Sequence, residues 1–552
     1  MPPARTLIAI VVIVALAAVT TLHRLGEADV CGSNEAVEGV FLQQMVEHNA
    51  LLFPLENGRS PMYKPPLFHW TAVAIDRLAG FKKVTAFNLR LPAALYAIAG
   101  VILTIAFATS FLGHGGGLLA GLILVASYQY IENARIGRVD MTLCFFETVA
   151  LFAFAALMAL MSEPANKSGP SEAAPVPPEG SAGSSVGASP PNYLRYVLAA
   201  ALGLAILAKG PVGAILPGFA MVVFLIVEKR LREIWRLATP GPVLLALVIA
   251  SSWYFACLFG HRYGFLDRQL GSENFGRFFG ALGAMAPWYY LKPILLNSAP
   301  LSLLVPVAVF CALRTYWIGI PSAGVARASA SPARPSQNPL SVWMSLRMMF
   351  LPAMDSPNAS PRSLDQHHRA LIAVRLFAMF WVATVIFFTV AAYKRRAYLL
   401  PLWPASAIML CWWLESIAHS RNGKYLRGAV VATCAVLILI NFFYLPRREV
   451  RECAADSPRE AAAQINRIVG PDEPLYLFQF ADEPAPLLFY LNRTAPRIWG
   501  KLGDAPPGYV IATADAWRRA KSEALDLQPV FVSSSGRPRL VLLRRGKAYA
   551  IR

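Results

Sequence analysis

Long apolar runs separated by short polar joints set the rhythm of this chain. A helix that crosses a bilayer needs about 20 mostly apolar residues. Such runs stand near 5–23, 88–112, 116–134, 139–162, 192–208, 211–228, 240–259, 288–312, 370–392, 397–418 and 428–446. The pattern predicts a polytopic α-helical membrane protein with about 11 to 13 spans. The first run comes after the basic opening "MPPAR" and could be a signal peptide. Its length, and the membrane character of the rest of the chain, favour an uncleaved anchor.

The joints supply the orientation. "KRLREIWRLAT" at 229–239 and "HSRNGKYLR" at 419–427 are short and basic, as cytoplasmic loops are. This places the N-terminus inside, together with 163–191 and 313–369. Within those longer loops, "NKSGPSEAAPVPPEGSAGSSVGASPPN" and "IPSAGVARASASPARPSQNP" are too poor in aromatic and aliphatic residues to bury a core. Disordered cytoplasmic tethers over 163–191 and 318–365 are therefore expected. The outer face receives 24–87, 135–140, 260–287, 393–396 and everything after 447. In that last part "EPLYLFQF", "GYVIATA" and "RPRLVLLRR" predict strands, and "SPREAAAQINRIV" and "ADAWRRAKSEA" predict helices. The expected division is a transmembrane domain over 1–446 and a small soluble α/β domain outside the membrane over 447–552. The internal repeat typical of secondary transporters is not visible.

Composition agrees with the pattern. The chain of 552 residues is 56% hydrophobic and 15% charged, with a mean hydropathy of +0.47. Soluble domains carry about 25% charged residues. The net charge of +19 comes without any nucleic-acid motif. Basic cytoplasmic loops and an anion-binding cavity account for it better. The seven cysteines show no CxxC or metal spacing and read as small buried hydrophobes rather than a disulfide frame. A meeting of Cys31 and Cys453 outside the membrane is the less favoured reading.

Candidate chemistry gathers on the outer face at span ends. There stand Asn34, Glu35 and Glu38, then "SPMYKPPLFHW" with Lys64, and "ENARIGRVDM" with Arg135, Arg138 and Asp140. Further on come "AKGPVG" with Lys209, "GHRYGFLDRQLGSENFGRFFG" with Glu273 and Asn274, and "YKRRAYLLPLWP" with Arg395, Arg396 and Tyr398. Each has a plain structural alternative. Lys64 and Lys209 could snorkel to headgroups. Asp140 could complement a helix dipole and pair with Arg135 or Arg138. Glu273 and Asn274 could belong to an amphipathic surface helix over 263–279. Cations on the face that the orientation rule leaves poor in them nevertheless point to a specific anion. The lipid-anchored head of a polyprenyl phosphate fits that place.

The ordered set "YKPPLFHW", "RIGRVDMTLCFF", "AKGPVGAILPG", "SENFGRFFG" with "PWYYLKPILL", and "YKRRAYLLPLWPA" resembles the bacterial lipid A aminoarabinose transferases. It also resembles related polyprenyl-phosphate-dependent glycosyltransferases of the GT-C fold, which include the protein O-mannosyltransferases. The resemblance covers roughly residues 30–410. It implies an inverting transfer from a sugar on undecaprenyl phosphate, or a similar lipid, to a lipid, glycan or protein acceptor at the outer face of a bacterial inner membrane. By position, Lys64 would touch the lipid phosphate, with Arg135, Arg138, Lys209, Arg395, Arg396 and Tyr398 around it. Asp140 would be the carboxylate opening the fourth span, and Asn34, Glu273 and Asn274 would position the substrates.

The chain departs from the family where that family keeps Asp-Glu and Arg-Tyr in the first outer loop. Here the stretch reads Asn34-Glu35-Ala36-Val37-Glu38, and an amide is no base. Glu35 is the favoured replacement, with Glu38 and Asp140 as alternatives. In the helix expected here, Ser33 or Asn34 is the cap, and Val37, Val40, Phe41 and Met45 form a stripe lying on the membrane. A divalent cation held by Glu35, Glu38 and Glu273 is left open, with no histidine placed beside them. A flippase for a lipid-linked sugar would want charges at mid-span, and a scaffold would not need such clustered charge.

Overall fold

The computed structural model describes residues 3–162, 192–281, 283–316, 361–418, 420–454, 457–480, 484–524, 526–533 and 539–545. The two low-complexity tethers expected at 163–191 and 318–365 lie almost wholly outside these residues. All eleven apolar runs fall on helices. The first eight helices in the chain are α1 (Ala4–Leu22), α2 (Ser33–Glu47), α3 (Leu67–Ala79), α4 (Ala86–Ala126), α5 (Tyr128–Ala134), α6 (Val139–Leu160), α7 (Asn192–Lys209) and α8 (Val212–Val227). Among the described residues seven helices are long and apolar enough to cross a membrane, or eight if the bent pair Pro287–Leu296 and Leu301–Arg314 counts as one span. This is fewer than eleven for physical reasons. Gly113, at φ 77°, breaks α4 into two successive runs, while α8 and the buried helix Leu402–Ile417 are only 16 residues each.

Several of these helices are locally encoded. Thr85 caps α4 through Asn88 in a reciprocal capping box. α6 begins at an extended Arg138 and carries Asp140 in its first turn, where a carboxylate complements the helix dipole. α7 and α8 are joined by Gly210 at φ +90°, a left-handed position that favours glycine. The C-terminal end of α1 is closed by the buried Arg135, which donates to the carbonyls of Thr20 (3.3 Å), Thr21 (3.0 Å) and His23 (2.8 Å).

Beyond the last long helix, Arg421–Ala454, lies a five-stranded sheet in the order β4-β3-β5-β7-β6. After the hairpin of β1 (Leu55–Glu56) and β2 (Ser60–Pro61) in the first outer loop, the strands of this sheet are β3 (Leu475–Phe478), β4 (Arg497–Ile498), β5 (Gly508–Thr513), β6 (Leu527–Val532) and β7 (Leu540–Arg545). The first three in spatial order are parallel and the rest antiparallel. The helix runs through residue 446, the expected domain boundary.

The sheet region packs on the first outer loop, and this corrects two expectations. α2 does not lie on a membrane surface. A Cβ at Gly39 would lie 2.7 Å from the Phe489 ring, and Gln43 donates to the Phe489 carbonyl at 2.8 Å. Phe41 and Met45 are buried in the core shared with that region. Nor do Ser33 or Asn34 cap α2: Gly32 occupies the cap and no side chain bonds it. Cys31 and Cys453 are joined in a disulfide, with Cα atoms 5.8 Å apart, across 422 residues of sequence. This overturns the reading of all seven cysteines as free. Cys144, Cys257, Cys311, Cys411 and Cys434 are free and buried, as expected.

Candidate functional site

The α6 start, the α7–α8 turn and the segment after β2 (Ser60–Pro61) meet at one level, and a cavity of about 330 Å³ opens between them. Its polar end is lined by Tyr63, Lys64, Asp140, Lys209, Gln269, Glu273, Asn274, Arg277, Tyr393 and Tyr398. Its other walls are apolar: Val212, Ile215 and Leu216 from α8, with Phe275, Phe278, Phe279, Phe387 and Phe388. Ile215, Phe275 and Phe279 are also exposed on the outside of the bundle. A charged head thus continues into an apolar flank.

The charges are arranged as linked pairs. Asp140 Oδ1 receives Lys209 Nζ at 2.5 Å, and its Oδ2 lies 2.7 Å from Arg138 Nη2. Lys209 also sits 4.8 Å over the Tyr398 ring, which stacks on Phe388. Lys64 pairs with Glu38 behind the cavity wall. His69 Nε2 approaches the other Glu38 oxygen at 3.2 Å, so a histidine does stand beside that carboxylate. Arg277 pairs with Glu273 at 2.7 Å. Burial pushes the Glu38 carboxyl upward, but the Lys64 ammonium and His69 outweigh it and hold it at about 2. For Lys64 burial dominates over the attraction of Glu38, and its ammonium is held below the ordinary lysine value.

At this site the buried Nε groups of Arg138 and Arg277 have no acceptor among the described residues. Buried donors are nearly always satisfied.

The fold brings Lys64, Asp140, Lys209, Glu273, Asn274 and Tyr398 to the cavity, with Arg138 directly behind Asp140. It takes other candidates elsewhere. Arg135 is spent on the end of α1 and on Glu449, at 2.8 Å. Arg396 pairs with Glu132 at 2.6 Å, away from the lining. Arg395 is outside the lining but beside it, 5.9 Å from the Tyr393 ring and close enough to act on Lys209 and Tyr398. Glu35 does not line the cavity. Its carboxylate grips the buried Arg90 at 2.7 and 3.1 Å and receives the Gly137 N–H at 2.8 Å. Asn34, half-buried at the start of α2, is likewise outside the lining.

The three glutamates considered for a metal do not converge, because Glu35, Glu38 and Glu273 each hold a different cation. Among the described residues no group of three His, Cys, Asp or Glu side chains could hold a metal ion. Residues not singled out from sequence are Tyr63, His69, Gln269, Arg277 and Tyr393. A signal existed for Arg277, four residues after Glu273, the spacing at which opposite charges pair on a helix.

The segment that carries Glu273 and Asn274 is helical through 263–279, as expected, but Asp267–Gly276 winds as a π-helix. It is tied to the segment before Tyr398 by backbone bonds from Ala392 to Phe278 (3.0 Å) and from Tyr393 to Arg277 (3.1 Å). The buried Lys394 donates to the Ala391 and Met285 carbonyls and fixes that junction.

No protein-family model matches the chain. Two uncharacterized proteins of Aquifex aeolicus (strain VF5) are similar in sequence. One is 25% identical over 293 residues, 53% of this chain and 52% of its own length. The other is 24% identical over 257 residues, 46% of this chain and 50% of its own. The chain spans about half the length of the curated relatives it matches. Among solved structures, ArnT from Cupriavidus metallidurans bound to undecaprenyl phosphate superposes with a TM-score of 0.68 at 18% identity, covering 97% of both chains. The apo state of that protein gives a TM-score of 0.66 with the same coverage. The fold is therefore the multi-pass GT-C fold anticipated from the motifs, with its small C-terminal α/β region.

Proposed function

We propose that the protein is an inverting glycosyltransferase that takes a sugar from a polyprenyl phosphate at the outer face of a bacterial inner membrane. The observation that carries this reading is the two-ended cavity. Lys64, Lys209 and Arg277 supply a cationic head for a phosphate, and the phenylalanine-rich flank with its lipid-exposed edge suits a prenyl tail. The solved ArnT structure with undecaprenyl phosphate supports the same class of ligand. The Cys31–Cys453 disulfide supports an oxidising compartment for the outer loop and the sheet region. The cavity's charges gather where α6 and α8 begin and α7 ends, which favours transfer over flipping.

In the proposed reaction the acceptor oxygen attacks the anomeric carbon, the bond from that carbon to the phosphate oxygen breaks, and the acceptor proton passes to Asp140. The polyprenyl phosphate leaves with the bonding electrons, its added charge balanced by Lys64, Lys209 and Arg277. With the site empty Lys209 holds Asp140. A bound phosphate competes for that ammonium and frees the carboxylate oxygen to take a proton. The acceptor is a lipid, a glycan or a protein. The test is transfer of labelled sugar from undecaprenyl-phosphate donors to membrane lipid, glycan or protein by the purified enzyme in vesicles. Label in one acceptor fraction is expected. No transfer from any donor would overturn the proposal.

Lys64 gives the binding step a pH dependence. Its ammonium is charged below its lowered value and neutral above it. Undecaprenyl phosphate binding is therefore expected to weaken with rising pH, at a pH below the ordinary lysine value of about 10.4. Lys64→Arg, which stays charged throughout, is expected to bind across that range in a titration from neutral to alkaline pH.

A further inference from the structure

We infer that the sugar carried by the donor is uncharged and that Gln269 reads its hydroxyl groups; this rests on the glycosyltransferase reading above. Gln269 lines the cavity and is 1% exposed, and its side-chain amide has no protein partner besides the Tyr254 hydroxyl beside it, which leaves hydrogen-bonding capacity turned to the cavity. A buried amide with unused hydrogen-bonding capacity is costly, and sugar hydroxyls, which both donate and accept, are matched to it. The surroundings are shaped for this side chain. A Cβ at Gly210 would lie 2.1 Å from Gln269 Nε2, so the glycine of "AKGPVG" leaves room for the amide as well as permitting the turn. The π-helical winding of Asp267–Gly276 puts Gln269, Glu273 and Asn274 on the cavity together. Such windings gather at functional sites. Asn274 Nδ2 donates to the Gln269 backbone carbonyl at 2.6 Å, which holds Asn274 against the same turn.

Charge balance points the same way. Both carboxylates that line the cavity are already paired, Asp140 with Lys209 and Arg138, and Glu273 with Arg277. Glu38, behind the wall, is paired with Lys64. Among the described lining residues no carboxylate is left to receive an ammonium on the sugar. The lining cations Lys64, Lys209 and Arg277 exceed Asp140 and Glu273 by one, and the single charge of a phosphodiester-linked donor closes that balance. A sugar ammonium would leave a buried charge without a partner.

The experiment is competition for undecaprenyl phosphate binding by a matched pair, undecaprenyl phosphate linked to glucose and to glucosamine with a free amine. The glucose lipid is expected to bind at least about tenfold tighter than the glucosamine lipid. Gln269→Ala is expected to weaken the glucose lipid about tenfold, while undecaprenyl phosphate itself binds as in the wild type, which also shows that the variant is folded. Gln269→Glu is expected to narrow or reverse the preference. Equal or tighter binding of the glucosamine lipid by the wild type would overturn the inference and leave the donor class standing. Gln269→Ala with unchanged glucose-lipid affinity would remove Gln269 from the sugar site. Failure of undecaprenyl phosphate to bind at all would overturn the proposed function, and this inference with it.

Discussion

Asp140→Asn is expected to lower sugar transfer by about a thousandfold. Asparagine is nearly isosteric and can still accept a hydrogen bond from Lys209, though its amide nitrogen then faces Arg138, so the variant costs some stability as well. It cannot take the acceptor proton. The loss should therefore appear in kcat, with undecaprenyl phosphate affinity changed by less than tenfold. Asp140→Ala goes further, because it leaves the half-buried Arg138 and Lys209 without their shared carboxylate and exposes both to mutual repulsion. Steady-state kinetics beside a binding isotherm separates the two effects. An Asp140→Asn enzyme with full turnover would show that this carboxylate does not handle the proton.

Glu35→Gln is expected to do the opposite, costing stability and sparing chemistry. Arg90 is 4% exposed and its two-oxygen grip on Glu35 is the only charge pairing it makes among the described residues. Removing one partner of a buried pair costs about 3–5 kcal/mol. The carbonyls of Leu25, Ala28 and Asp29, which also receive Arg90, keep part of its hydrogen bonding in the variant. The Gly137 N–H is held by the same carboxylate, so the loop before Asp140 should loosen too. Thermal unfolding in detergent is expected to shift downward by several degrees, while activity per folded molecule stays within about threefold of wild type. A Glu35→Gln protein that melts like wild type but is inactive would restore Glu35 as the catalytic carboxylate.

The helices and the polar end of the cavity are legible in the sequence for the same reason. Membrane spans demand apolar runs, so lysines and carboxylates that survive at their ends stand out. Lys64, Asp140, Lys209 and the Glu273-Asn274 pair are visible in that way. Partners distant in sequence are not. Nothing in "CGSNEAVEGV" announces that Glu35 will meet Arg90, 55 residues on, or that Cys31 will meet Cys453, 422 residues on. The apolar stripe of α2 reads as lipid-facing because a hydrophobic face does not declare what covers it. Phe489 of the C-terminal region covers it. Gln269 carries no charge and sits in a segment with ordinary helical composition, so only the π-helical winding and the contact with Gly210 reveal it.

The central claim is that a prenyl phosphate occupies the cavity between Lys64, Lys209 and Arg277 with its tail along the phenylalanine flank. The most direct measurement is photo-crosslinking of undecaprenyl phosphate carrying a photoreactive group on its first isoprene units, with peptide mapping of the adducts. Labelling of 212–216, 275–279 and 387–388, abolished by Lys64→Ala with Lys209→Ala, is the predicted result. Labelling confined to the outer faces of other helices, such as 439–451, or labelling of the cavity that survives loss of both lysines, would contradict it.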